Sequence, residues 1–353
     1  MSQNAAPVAD RDDVFEEELV AALADETLHL IVLPTEQCNF RCTYCYEDFE
    51  IGRMTPDTVQ SVKRLVGRRL DSLQQLNLSW FGGEPLLART VVEEISSFIV
   101  DEVGARPGVH YSADMTTNGY LLDVARAESL ARLGVNSYQI SLDGPQAFHD
   151  TTRLRADGGG SFRRIWQNLI SLRRSDLDIR VLLRLHLTPS NISQMREFAP
   201  EVRDTFLCDS RFSVHLKAIE RMGGPNDEEI EVLAHETRAQ AQRELGALLR
   251  TGDAARGGAR RETACYAARP NSLVIRANGT IAKCTVALND PRNTVGRIMT
   301  DGTLHIDGSQ VAPWVRGWGD QDWAAVKCPY AGLPQAGQQL LQLGPPRLAG
   351  SAR

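Results

Sequence analysis

Six stretches of this chain read as strands, and four of them alternate apolar and polar residues with a period of two, the mark of a strand with one buried face. In IRVLLRLHL, from Ile179, the residues Val181, Leu183, Leu185 and Leu187 share one side, and Arg184 and His186 share the other. In RFSVHLK, from Arg211, Phe212, Val214 and Leu216 oppose Ser213, His215 and Lys217. LNLSWF, from Leu76, sets Leu76, Leu78 and Trp80 against Asn77 and Ser79. VHYSADMTT, from Val109, gathers Ser112, Asp114, Thr116 and the following Asn118 on one side. LHLIVL, from Leu28, and SYQIS, from Ser137, complete the series.

Between these strands the period lengthens to that of a helix. From Thr55, with Pro56 in the first turn, apolar residues recur at Val59, Val62, Leu65, Val66, Leu70 and Leu73. Further helical patterns begin near Thr90, Leu122, Phe162 and Ile192. Six βα units in series predict an α/β fold with a parallel sheet, open or rolled into a barrel. Helices cover the apolar face, so the polar face turns inward. A closed eight-stranded barrel fills its interior with branched apolar side chains. A wet interior predicts instead a partial (β/α)6 TIM-like barrel with a ligand in its lumen.

After Lys217 the pattern changes. GGPNDEE reads as a loop, followed by a helix from about Asp227 to Leu249, and RTGDAARGGARR reads as a Gly/Arg linker. A second region, from about Glu262 to Gln342, has short strands around SLVIRANGTIAKC, and GPPRLAGSAR reads as a frayed tail. The expected division is an N-terminal extension (1–27), a barrel (28–225), a helix and linker (226–261), a small C-terminal α+β domain (262–342) and a tail (343–353).

Composition narrows the function. The 353 residues are 42% hydrophobic and 24% charged, ordinary for a globular protein. A net charge of −6 gives no electrostatic footprint for nucleic acid or an anionic membrane. The N-terminus lacks the basic and apolar regions of a signal peptide, and no apolar run approaches the ~20 residues of a membrane span. These features predict a cytoplasmic protein, where thiols stay reduced. Its seven cysteines then read as metal ligands or buried residues rather than disulfides. Cys208 reads as a core thiol.

Three of the seven lie in CNFRCTYC, at Cys38, Cys42 and Cys45, directly after the first strand. Structural zinc closes with four ligands, and no fourth ligand stands near Cys45. A [4Fe–4S] cluster accepts three thiolates and leaves one iron open. The carboxyl-end face of a parallel βα fold is where ligands bind. Further along, WFGGEPLL (80–87), TTNGYLL from Thr116, ISLDGPQAFHDTTR from Ile140 and LTPSN (187–191) follow successive strands. Each alone is a common turn or helix approach, with Asp143 able to serve as a cap.

Together, the cysteine loop with Tyr44 before its last thiol and the ordered motifs over Leu28–Lys217 resemble the radical S-adenosylmethionine (SAM) superfamily. The resemblance implies a [4Fe–4S] cluster on Cys38, Cys42 and Cys45, with SAM chelating the open iron. One electron then cleaves SAM to methionine and a 5'-deoxyadenosyl radical, which removes a hydrogen from substrate. It also implies that Tyr44, Gly82, Gly83, Glu84, Asn118, Ser141, Asp143, Arg153 and Arg184 form the SAM site. Gly82 and Gly83 would lie against the methionine part, Glu84 at its amino group, Ser141 and Asp143 at the ribose and Arg153 at the carboxylate. An electron donor of the flavodoxin or ferredoxin type is a further implication.

Cys265 and Cys284, with Gly279 five residues before the latter, resemble the start of the SPASM/twitch extension of that superfamily, and TVGRI (294–298) its next strand. Cys328 stands where a later cysteine would, while Pro334 and Gln338 replace others. The implied domain is reduced, with one auxiliary [4Fe–4S] cluster on Cys265, Cys284 and Cys328, its fourth position open or filled from elsewhere. Many relatives with this extension cross-link or epimerise ribosomally made peptides, so a peptide is the leading substrate class. About 27 residues precede the first strand, too few for a leader-binding domain, which suggests a separate recognition protein. Other readings are a small-molecule enzyme of cofactor or antibiotic biosynthesis, an anaerobic sulfatase maturase, or a non-enzymatic iron–sulfur protein. The maturase has an aspartate where Thr285 stands here. Arg184, His186, His215 and Lys217 are candidates to line the lumen, and His149 reads as structural.

Overall fold

The computed structural model describes residues 11–250 and 263–334. All six expected strands form: β1 (Thr27–Val32), β3 (Gln75–Trp80), β4 (His110–Thr117), β5 (Val135–Leu142), β7 (Arg180–Leu187) and β8 (Phe212–Ala218). They lie side by side in that order, every pair parallel. Two short strands, β2 (Phe40–Cys42) and β6 (Arg153–Arg155), pair with each other above the carboxyl ends, Cys42 opposite Arg153.

Helices α2 (Pro56–Arg69), α3 (Arg89–Gly104), α4 (Val124–Ala131), α5 (Gln146–Thr152), α6 (Phe162–Arg174) and α7 (Ile192–Phe206) connect the strands. α2 begins as its sequence requires: the Thr55 hydroxyl accepts the Thr58 N–H at 3.3 Å, and Val59, Val62, Leu65 and Val66 are buried. The convex face of the sheet is apolar, with Leu76, Leu78, Trp80, Val181, Leu183 and Leu185 fully covered. On the concave face polar groups bond to one another. The Ser79 hydroxyl donates to Asp114 at 2.7 Å and stands 3.0 Å from His29 Nε2; Ser112 donates to Asn77 at 2.7 Å.

The C-terminal strands join the same sheet. β9 (Ser272–Ile275) pairs parallel with β1, and β10 (Thr280–Ala282), β11 (Thr294–Ile298) and β12 (Leu304–Ile306) continue antiparallel beyond it. Among the described residues the sheet therefore has ten strands, with the two edges β12 and β8 unpaired with each other. Helix α1 (Arg11–Leu23) packs Val14 and Phe15 against Trp318 of α9 (Gly308–Gly319) and Trp323 of α10 (Trp323–Lys327). Among the described residues no helix is long and apolar enough to cross a membrane.

Two expectations are corrected. The helix expected from Asp227 begins at His235, as α8 (His235–Leu248). Tertiary contacts override the local propensity: Arg221 donates to the Glu228 and Ile230 carbonyls, and Leu233 is buried in the core. Cys208 is exposed rather than in the core, because it falls after the end of α7, where Arg173 donates to its sulfur. The Gly/Arg linker from 251, Gln338 and the tail lie outside the described residues.

Candidate active site

One cavity opens above the carboxyl ends of the parallel strands. Its walls include Cys38, Cys42, Cys45, Tyr44, Gly82, Gly83, Asn118, Ser141, Arg153 and Arg184. Of the sequence-derived SAM-site residues, only Glu84 and Asp143 are outside this lining.

The cysteine loop is held by close backbone packing. Gly82 has φ +106°, and a side chain there would put Cβ 2.3 Å from the Thr35 carbonyl oxygen. At Gly83 a Cβ would sit 2.4 Å from the Gln37 carbonyl oxygen. Neither contact can be relieved by rotating a side chain, since both partners are backbone. Glu84 explains the rest of the motif. Its carboxylate accepts the Leu86 N–H at 3.0 Å, the Thr117 hydroxyl at 2.8 Å and the Asn118 N–H at 2.8 Å. Burial pushes its carboxyl up, while these donors pull the other way. Glu84 thus ties the end of β3 to the end of β4. Asn118 in turn donates to Asn39 of the cysteine loop at 2.8 Å.

Asp143 is also turned inward. It accepts from the Tyr44 hydroxyl at 3.0 Å and from Thr152 at 2.7 Å, and its Oδ1 is 3.1 Å from His186 Nδ1. It does not cap α5, where Pro145 is the N-cap residue. Arg153 donates to the same Tyr44 hydroxyl at 2.8 Å. Burial works against charge on Asp143, but His186 and Arg153 hold its carboxyl well below the usual range; burial pushes His186 down. This group fixes Tyr44, and with it the stretch between Cys42 and Cys45. His149 is buried behind it, accepting the Asp143 N–H at Nδ1, in keeping with a structural role.

The donor set fits a cluster and a polar ligand. Burial pushes the thiols of Cys38 and Cys42 up and that of Cys45 to about 12, so bare thiolates are disfavoured until a cation compensates them. Arg153 Nε and Arg184 Nε, in the cavity wall, are buried without a hydrogen-bond partner among the described residues. Among the described residues no three His, Cys, Asp or Glu side chains form a group that could hold a single metal ion. A [4Fe–4S] cluster places each thiolate on a different iron and spreads its ligands more widely.

The second cysteine set is coupled electrostatically. Burial pushes the Cys265 thiol up, and the proximity of Cys284 and Cys328 adds to it. Cys284 is fixed by Asn293, whose Oδ1 accepts the Lys283 and Cys284 N–H groups and whose amide donates to the Cys284 and Ala287 carbonyls. Lys283 is wholly buried, donating to the Arg269 and Ser272 carbonyls, and burial lowers its ammonium to about 7. Thr285 bonds to the Tyr266 hydroxyl at 2.7 Å.

Sequence reasoning missed several residues of the cavity wall: Tyr46, Glu47, Phe49, Phe81, Glu220 and Met222. Tyr46, Glu47 and Phe49 directly follow the cysteine loop, which was the available signal. Of the expected lumen residues, Arg184, His186 and Lys217 line the cavity, while His215 borders a separate groove between β8 and α8.

The fold and site define an α/β domain with a three-cysteine loop at the carboxyl ends of its parallel strands. Residues 32–199 match the sequence model of the radical SAM superfamily. That stretch, just under half of the chain, is a radical SAM domain. The chain is similar to GTP 3',8-cyclase of Aeromonas hydrophila subsp. hydrophila, with 34% identity over 128 residues; these are 33% of this chain and only 35% of that protein. Among solved structures, anSMEcpe with bound AdoMet and the Cp18Cys peptide aligns at a TM-score of 0.60 with 17% identity, covering 81% of this chain and 80% of that one. A histidine-tagged form of anSMEcpe with bound AdoMet aligns at 0.61 with 16% identity and the same coverage. At these identities the likeness is one of fold.

Proposed function

We propose that this protein is a radical SAM enzyme that abstracts hydrogen from a peptide side chain or backbone during peptide maturation. The observation carrying this reading is the single cavity shared by Cys38, Cys42 and Cys45 with Gly82, Gly83, Asn118, Ser141, Arg153 and Arg184. When bound, a [4Fe–4S] cluster supplies the electron that splits SAM into methionine and a 5'-deoxyadenosyl radical. The chain holds that chemistry in place. Cys38, Cys42 and Cys45 ligate the cluster. The Gly82–Gly83 backbone packs under the loop, Glu84 and Asp143 lock it from behind, and Arg153 and Arg184 offer donors to an anionic group.

Cys265, Cys284 and Cys328 are assigned to one auxiliary [4Fe–4S] cluster in the C-terminal unit, 262–342. A peptide substrate is supported by the likeness in fold to peptide-bound anSMEcpe. A small molecule is the second reading, favoured by the partial match to GTP 3',8-cyclase. Reduction calls for a flavodoxin- or ferredoxin-type donor.

The test is anaerobic reconstitution of the full chain. About eight iron atoms per chain are expected, falling to about four when Cys38, Cys42 and Cys45 are all changed to Ala. With dithionite, the wild-type protein should release 5'-deoxyadenosine from SAM, and Cys42→Ala should not. A protein that holds stoichiometric zinc, or a full cluster that never cleaves SAM, would refute the reading.

A further inference from the structure

The radical chemistry described above leaves one cavity-wall carboxylate unused. Glu47 is 7% exposed, lines the cavity, and its Oε2 has no hydrogen-bond partner among the described residues. On the same wall Arg153 donates to Tyr44 and Lys217 pairs with Glu220, while Arg184 keeps a buried Nε without a hydrogen-bond partner among the described residues. The neighbouring Glu36 is held by Arg276, so that guanidinium already has its own carboxylate. Ionising a buried carboxyl that lacks a partner is costly. A cation entering from the cavity would remove that cost.

The backbone beside Glu47 carries an independent sign of function. Phe49 has φ 61°, a left-handed conformation that an aromatic residue rarely adopts. Such strain persists where surrounding contacts enforce it. Here the Gln37 side chain donates to the Phe49 carbonyl, and the Arg41 guanidinium lies 4.4 Å from the centre of the Phe49 ring. The turn leaves both Glu47 and Phe49 on the cavity wall, beside Tyr46, Ile219 and Met222. An acidic acceptor with apolar walls around it suits a cationic nitrogen on an aliphatic stem.

We propose that Glu47 anchors a substrate subsite for a cationic side chain, with Tyr46, Phe49, Ile219 and Met222 packing its methylene stem. This deepens the radical SAM peptide reading of the same cavity and rests on it. The fitting substrate is a peptide with lysine or arginine beside the reacting residue.

The test measures binding to the reconstituted, SAM-loaded full chain by calorimetry. The probes are acetyl-Gly-Lys-Gly-amide and its norleucine analogue, which differ in the ammonium group. The wild-type protein should prefer the lysine peptide by about tenfold or more, and Glu47→Gln, which keeps the side-chain shape, should reduce the preference to about twofold or less. Equal affinity of the wild-type protein for both peptides, or no binding of either at about 10 mM, overturns the proposal without any variant. A preference that survives in Glu47→Gln overturns it too. So does weakened SAM binding in Glu47→Gln with the peptide preference intact, which would assign the carboxylate to SAM. Release of 5'-deoxyadenosine by the wild-type protein separates the two levels: its absence defeats the radical SAM reading, whereas its presence without lysine preference defeats only the subsite.

Discussion

Arg276 directly follows β9, far along the chain from Cys38, yet its removal should loosen the first cysteine loop. Its guanidinium meets the Glu36 carboxylate twice, Nε to Oε1 at 3.2 Å and Nη2 to Oε2 at 2.5 Å, and donates to the Leu288 carbonyl at 2.7 Å. Glu36 also accepts the Ala277 N–H at 3.3 Å and lies two residues before Cys38. The two residues are 9% and 2% exposed. Unit charges about 4 Å apart at an effective dielectric constant near 20 attract by about 4 kcal/mol. Truncating one partner leaves the other buried and unpaired, at about 3–5 kcal/mol. Arg276→Met should therefore lower the unfolding free energy by about 3–5 kcal/mol. The Arg276→Met, Glu36→Gln double variant should regain much of that loss, because the orphaned charge is gone. Anaerobic urea unfolding followed by circular dichroism measures this, with shifted midpoints at constant slope. Iron retained by the Cys38–Cys45 loop after gel filtration should fall in parallel in the single variant. A loss below about 1 kcal/mol, or a double variant as unstable as the sum of the singles, would refute the reasoning.

Gly83→Ala should destabilise the chain by about 1–3 kcal/mol and lower its iron content, since the new Cβ meets the Gln37 carbonyl oxygen at 2.4 Å; wild-type iron and stability would refute the packing argument. Acid should weaken the fold through His149, whose ionisation burial depresses to about 4 from 6.5. Between those values the unfolded chain binds the extra proton, so stability falls as pH drops from about 6.5 to 4, by up to about 3 kcal/mol from this residue. His29, depressed to about 4 by burial, adds in the same window, whereas Glu47, raised to about 8 by burial, opposes it over pH 4.5–8. The difference between wild type and His149→Gln isolates the His149 contribution; identical slopes of stability against pH would refute it.

Local pattern was enough for the six parallel strands and for the buried face of β3 and β7, though not for His215 of β8, which borders a groove against α8 rather than the cavity. Period-two alternation records burial directly: Val181, Leu183 and Leu185 are buried because the helices cover that face. The cysteine loop was legible for a similar reason, since its spacing and its place after β1 are both local. What the chain does between distant residues was not. Nothing local announces that Asp143 and Glu84 turn their carboxylates into the framework, because Tyr44, Thr152 and His186, and Thr117 and Asn118, reach them from other elements. The start of α8 was missed because Arg221 and the burial of Leu233 outweigh a helix-forming run. The join of β9 to β1 decides whether the two cysteine regions share a sheet, and it depends on main-chain hydrogen bonds between residues some 240 apart, such as His29 to Asn271. Glu47 makes the same point. Sequence shows an acid after a cysteine loop; only the tertiary structure shows it buried on the wall of the cavity, its Oε2 without a hydrogen-bond partner among the described residues.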